Sequence, residues 1–221
     1  MPLIVGESAI LPSTKVRNLG VILDYHLTME PQISRIRRMA FYHLRRIAKI
    51  KKFLSRSALT QLIHAFVTSQ LDYGNALLVG LPKKSLASLQ RVQNAAARVI
   101  VGIRKLDPVK PYLKALHWLP IEKRIEFKIA VLTYRCLNCN APKYLQDLLV
   151  LYRPDANVCL RSSSRSVLWV PRTHTKTYGD RAFSVAAPRI WNSIPVNIRS
   201  SSSITTFKTL LKTYLFSMSF V

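Results

Sequence analysis

The sequence predicts a mainly α protein that opens with a β-hairpin, continues as a helical bundle and ends in a small α+β segment. Three observations predict it. Apolar residues recur at helical spacing over most of residues 30–150, as in Ile33, Ile36, Ala40, Leu44 and Ile47. Strand-like stretches are short and confined to 3–5, 16–23 and 166–170. Composition shifts after residue 152, where serine runs interrupt the helical pattern. The expected division is therefore 1–28, 29–152 and 153–221.

Residues 3–5 and 16–23 are expected to form one hairpin, with Pro12-Ser13 as turn chemistry between them and Gly20 interrupting the second stretch. A helix is expected from about 30 to 54. At about 100° per residue, Arg35, Arg38, Arg45, Arg46, Lys49 and Lys52 fall on one side, and Ile33, Ile36, Ala40, Leu44, Ile47 and Leu54 on the other. Ser55 or Ser57 caps the next helix, to about 71, with Leu59, Leu62, Ile63, Phe66 and Val67 as apolar positions. Pro82 opens a third helix, which carries Leu86, Leu89, Gln93, Ala96, Ala97 and Ile100 on one face and stops at Gly102. The run Ala95-Ala96-Ala97 predicts close approach to a neighbouring helix.

A short helix over 109–116 and the turn Trp118-Leu119-Pro120 lead into a long helix over 121–137. That helix is apolar around much of its circumference, so it is expected to be the most buried. Pro142 restarts a short helix to about 150. Residues 155–166, with Ser162-Ser163-Ser164, read as a loop, 166–170 as a strand, and 182–192 as a helix broken near Pro188. The serines at 200–203 end in a cap for a last amphipathic helix over 205–216.

Charge narrows the function classes. The chain has 221 residues, with 34 Lys+Arg against 10 Asp+Glu, a net charge of +24. Such an excess calls for a polyanion, nucleic acid first and an anionic membrane surface second. At 49% hydrophobic the chain is no basic disordered tail. Its apolar runs are broken by charges well short of the ~18 residues of a membrane span, and residues 1–8 lack the pattern of a signal peptide. Three cysteines without an even framework fit a reducing compartment. The expectation is an intracellular protein, nuclear or cytoplasmic, with a nucleic-acid partner and no membrane.

The excess concentrates in residues 31–57, which hold nine cations and no acid. Solvated charged faces ordinarily mix signs, so an unopposed run points to sequence-independent phosphate contact by Arg35, Arg38, Arg45, Arg46, Lys49 and Lys52. Arg91 and Arg98 are expected to extend the surface, with Arg104 and Lys105 beyond them. Cys136 and Cys139 form a C-x-x-C, but zinc needs four ligands and Cys159, His117 and His174 supply no second paired motif. No metal site and no cofactor are expected. His64, among apolar helix residues, reads as a packed core histidine, His117-Trp118 as a core turn, and Trp191 as an anchor for the C-terminal segment. Asp72, Asp107 and Asp180 stand singly and offer no nucleophile–base pair.

Several strings then carry a family resemblance. They are Val16-Arg17-Asn18-Leu19-Gly20-Val21-Ile22-Leu23-Asp24, His64-Ala65-Phe66-Val67-Thr68-Ser69-Gln70-Leu71-Asp72-Tyr73, and Leu89-Gln90-Arg91-Val92-Gln93-Asn94-Ala95-Ala96-Ala97-Arg98. Leu116-His117-Trp118-Leu119-Pro120-Ile121, Ala141-Pro142-Lys143-Tyr144-Leu145 and Ala187-Pro188-Arg189-Ile190-Trp191-Asn192-Ser193-Ile194-Pro195 complete the set. Together they resemble the C-terminal part of the polyprotein of non-LTR, LINE-type retrotransposons, downstream of the polymerase palm. The resemblance covers nearly the whole chain in the family's motif order. It implies that 1–28 is the remnant of the primer-grip hairpin, with Leu19, Gly20 and Val21 as its grip-like residues. It also implies that 29–152 is a helical, thumb-like domain that holds RNA or an RNA–DNA duplex.

The sequence departs from that family where chemistry is concerned. Two-metal polymerase chemistry needs clustered carboxylates, and the family's palm supplies them from an Asp-Asp motif upstream of the grip. This chain contains no adjacent acidic pair, and an endonuclease-like domain is missing too, so no enzyme activity is expected of it alone. Gly74 stands where the family usually has cysteine, and Cys139-Asn140 replaces a glycine-containing turn. The alternatives to a nucleic-acid-binding fragment are a translated relic of a mobile element with no selected function, or an accessory subunit for a palm domain supplied in trans.

Overall fold

The structure, a computed structural model, describes residues 3–138, 140–152, 167–175 and 177–220. It is mainly helical, as the periodicity predicts. The chain forms two compact units, Met1–Gly74 with Lys83–Gly102, and Asn75–Pro82 with Ile103–Val221. The helical stretch 29–152 is thus shared between them.

In the first unit β1 (Leu3–Val5) pairs antiparallel with β2 (Ser8–Ile10), and β3 (Lys15–Asn18) with β4 (Val21–Asp24). The single expected hairpin is two, because the stretch 16–23 folds on itself. Gly20 does not interrupt a strand there but forms half of a two-residue turn. Leu19 and Gly20 have φ of 46° and 83°, and a turn with both central residues left-handed matches the twist of paired strands. Gly20 adopts that φ freely, whereas Leu19 holds it at a steric cost.

Helix α1 (Glu30–Ile50) starts from a carboxylate knot. Asp24 accepts hydrogen bonds from the backbone N–H of Thr28 (2.9 Å), the Thr28 hydroxyl (2.9 Å) and the backbone N–H of Met29 (2.8 Å). Gln32, Ile33, Ile36, Ala40, Leu44 and Ile47 are its buried residues. A 3₁₀ turn, Lys51–Phe53, follows, and the Ser55 hydroxyl caps α2 (Arg56–Ile63) by accepting from the Ala58 N–H at 3.2 Å. A single π turn, His64–Thr68, joins α2 to α3 (Ser69–Asp72).

The buried residues Leu59, Ile63, Val67 and Leu71 recur every four positions. In a straight α-helix that spacing drifts about 40° per step, and the wider turn counteracts the drift. Helix α4 (Lys83–Val101) packs along α1 through Leu89, Val92, Gln93, Ala96, Ala97 and Ile100. Ala96 and Ala97 are fully buried, the close approach that the alanine run predicts. Gly102, at φ 82°, ends the helix.

The second unit contains a 3₁₀ turn (Asn75–Leu78), α5 (Lys110–Ala115), α6 (Ile121–Leu137), α7 (Lys143–Gln146), α8 (Phe183–Ser193), α9 (Val196–Arg199) and α10 (Ile204–Phe220). Its core lies among α6, α8 and α10, where the Phe207 ring stacks on Tyr134 (4.4 Å) and tilts against Trp191 (5.8 Å). Trp191 is the expected anchor, whereas of the expected core turn His117-Trp118 only Trp118 is buried and His117 is exposed. The Ser203 hydroxyl accepts from the Thr206 N–H at 3.1 Å and so caps α10.

Two expectations for this unit need correction. Helix α8 is continuous through Pro188, because the one lost backbone bond is offset by burial of Val185, Ala186, Ala187, Pro188 and Trp191. Around 166–170 the described residues form only an isolated antiparallel bridge between Leu151 and Leu168. The Asn192 side chain caps both sides of it, accepting from the Leu168 N–H (2.9 Å) and donating to the Leu168 carbonyl (2.7 Å). The loop read over 155–166 lies outside the described residues.

Candidate nucleic-acid interface

The expected cation face exists on α1. Arg37, Arg38, Arg45, Arg46, Lys49, Lys51 and Lys52 are exposed, and no ion pair engages them among the described residues. The physical reason is local. Every third or fourth residue of α1 is apolar and turns inward onto α4, which sends the intervening cations outward. Arg46 donates to the Tyr42 hydroxyl at 2.6 Å and lies 5.4 Å from its ring centroid. Lys52 stands 4.8 Å from the centroid of the exposed Phe53 ring.

Arg35 is different. It is half-buried and donates to the Gly20 carbonyl at 3.3 Å, so it braces the hairpin against α1. Arg91 is exposed on α4 and its Nε–H donates to the Ala87 carbonyl at 3.4 Å, while Arg98 is half-buried.

The turn carrying Leu19, Gly20 and Val21 is held from three sides. The Tyr73 hydroxyl donates to the Leu19 carbonyl, Arg35 holds the Gly20 carbonyl, and the buried Gln32 amide oxygen accepts from the Ile22 N–H at 3.0 Å. Val21 packs inward, whereas the Leu19 side chain projects into solvent. Burial pushes the Asp24 carboxyl up, but the Thr28 and Met29 hydrogen bonds outweigh it and hold the group below its ordinary value.

Sequence reasoning missed an aromatic group beside the cations. Phe66 and His64, expected in the core, are exposed, because the π turn directs Ile63 and Val67 inward in their place. The Phe66 ring stacks on His43 (5.2 Å, 27°), and His43 meets Tyr42 edge-on (5.3 Å, 76°). The signal was the strict four-residue spacing of Leu59, Ile63, Val67 and Leu71, which an unbroken α-helix would not keep on one face.

Cys136 is buried in α6, and burial pushes its thiol up. Cys139 and Cys159 lie outside the described residues, and no cluster of three or more His, Cys, Asp or Glu that could hold a metal occurs among the described ones. Among the described residues no helix is long and apolar enough to cross a membrane. Comparison with known protein families, characterised proteins and solved structures finds no match to this chain.

Proposed function

We propose that this chain is a non-catalytic nucleic-acid grip, resembling the thumb and C-terminal region of a non-LTR, LINE-type reverse transcriptase, and that it binds RNA or an RNA–DNA duplex without sequence preference. The observation that carries the reading is the exposed, unopposed cation face of α1. Exposed cations that no acid neutralises can replace the counterions condensed on a nucleic acid's phosphates, and release of those counterions drives association. Arg38, Arg45, Arg46, Lys49 and Lys52 supply the contacts, and the hairpin at Leu19, Gly20 and Val21 adjoins them as a grip-like element.

Binding measured across a salt series tests this. Five phosphate contacts give a slope of log K against log salt of about −4 to −5, with equal affinity for unrelated sequences. A slope near zero, or tight binding that persists at high salt, refutes it. A second reading has one observation in its favour: all four residues of β3 are exposed and, among the described residues, its outer edge carries no partner strand. An open edge suits strand addition, as in an accessory subunit for a palm supplied in trans. Primer extension by such a palm, with and without this chain, decides it.

A further inference from the structure

The cation face of α1 is interrupted at its centre by Tyr42, which lies four residues after Arg38, three before Arg45, four before Arg46 and seven before Lys49. These are surface neighbours on a helix. Tyr42 and Phe66 are 44% and 45% exposed, and His43 links their rings. Phe66 owes its place to the π turn. In a straight α-helix it would sit about 60° round from the buried Ile63, and the underwound i→i+5 turn carries it further outward. The result is a shelf of three rings that borders a row of unopposed cations.

A duplex presents phosphates and keeps its bases stacked inside, so it has no use for exposed ring faces. A single strand offers both phosphates and unpaired bases, and aromatic faces beside a basic track are the physical arrangement that holds it. We infer that the Tyr42–His43–Phe66 shelf is a stacking site for unpaired nucleobases, with the strand's phosphates on Arg38, Arg45 and Lys49. The proposal rests on the reading of α1 as a polyanion-binding face and names the ligand class of that face as a single-stranded nucleic acid. Charge complementarity commits the site to a polyanion, and the ring faces commit it to one whose bases are free.

The test compares a single-stranded RNA of about 12 nucleotides with an abasic strand of equal phosphate number, using the full chain and fluorescence anisotropy. The base-bearing strand is expected to bind about tenfold more tightly. Phe66→Ala and Tyr42→Ala are expected to abolish that preference, and Phe66→Ala, which touches none of the cations, to leave abasic-strand affinity and the salt slope unchanged. Phe66→Tyr, which keeps a ring, retains it.

Equal binding of the two strands by the natural chain overturns the shelf and leaves the grip reading standing, whereas failure of both strands and of duplex to bind at low salt overturns both. A preference that survives both alanine variants also refutes the site. So does displacement of the RNA by an acidic polypeptide of equal charge at equal concentration. Should Phe66→Ala lose its helical circular dichroism, Phe66→Leu keeps the bulk without the ring face and carries the same expectation.

Discussion

Replacing Arg38 and Arg45 together with glutamine isolates the electrostatic contribution of the α1 face. Both side chains are exposed, and neither makes a hydrogen bond or ion pair among the described residues. Glutamine matches arginine closely in helix propensity, so the fold is expected to stand. Each phosphate contact adds about 0.9 to the steepness of log K against log salt. Relative to 1 M salt, one contact is therefore worth about fivefold in affinity at 0.15 M, and two about 30-fold, or roughly 2 kcal/mol. The assay is anisotropy of a labelled RNA–DNA duplex titrated at several salt concentrations. The double variant should bind about 30-fold more weakly at 0.15 M, lose about 1.8 from its slope, and converge on the natural chain near 1 M. Affinity within twofold at 0.15 M, or a loss that persists undiminished at 1 M, refutes the assignment of these residues to phosphates.

Tyr73→Phe removes the bond to the Leu19 carbonyl and keeps the ring beneath Gly20. It should cost about 1 kcal/mol and speed amide exchange in β3 and β4, and unchanged exchange there would remove the hydroxyl from the account of the turn. The Asp24 carboxyl is held below its ordinary value in the folded chain, so its contribution is complete above about pH 4, the unfolded range, and is lost as pH falls through the lower folded value. An acid titration of helical circular dichroism should show Asp24→Asn to be less stable by about 1 kcal/mol at neutral pH and flatter in its response to acid. A parallel acid response in the two proteins would count against the carboxylate knot.

Local signals made much of the fold legible. Helices α1, α4 and α6 follow apolar spacing that any core would read, and Ser55, Ser203 and Gly102 mark boundaries through hydrogen bonds or backbone freedom confined to a few residues. The hairpin was misread because strand pattern gives period but not partner, and a left-handed Leu19 is a poor turn signal. Pro188 looked like a break because its local cost is visible in sequence, whereas the burial that offsets it is not. The π turn behind Phe66 was legible only in the spacing of four residues, and its consequence for a neighbouring helix was not.

The sequence by itself determined that α1 has a cationic side and an apolar side, because helix periodicity distributes neighbouring residues before any packing occurs. It also determined the sign of the net charge, through an excess of cations that no fold can cancel. Tertiary structure decided which of those cations are available. Packing of the hairpin on α1 engages Arg35 with the Gly20 carbonyl and leaves Arg38, Arg45, Arg46, Lys49 and Lys52 to solvent. It also brought Phe66 to His43, a contact between residues 23 positions apart that depends on how two helices meet. Charge is written residue by residue, but its accessibility depends on contacts between distant parts of the chain.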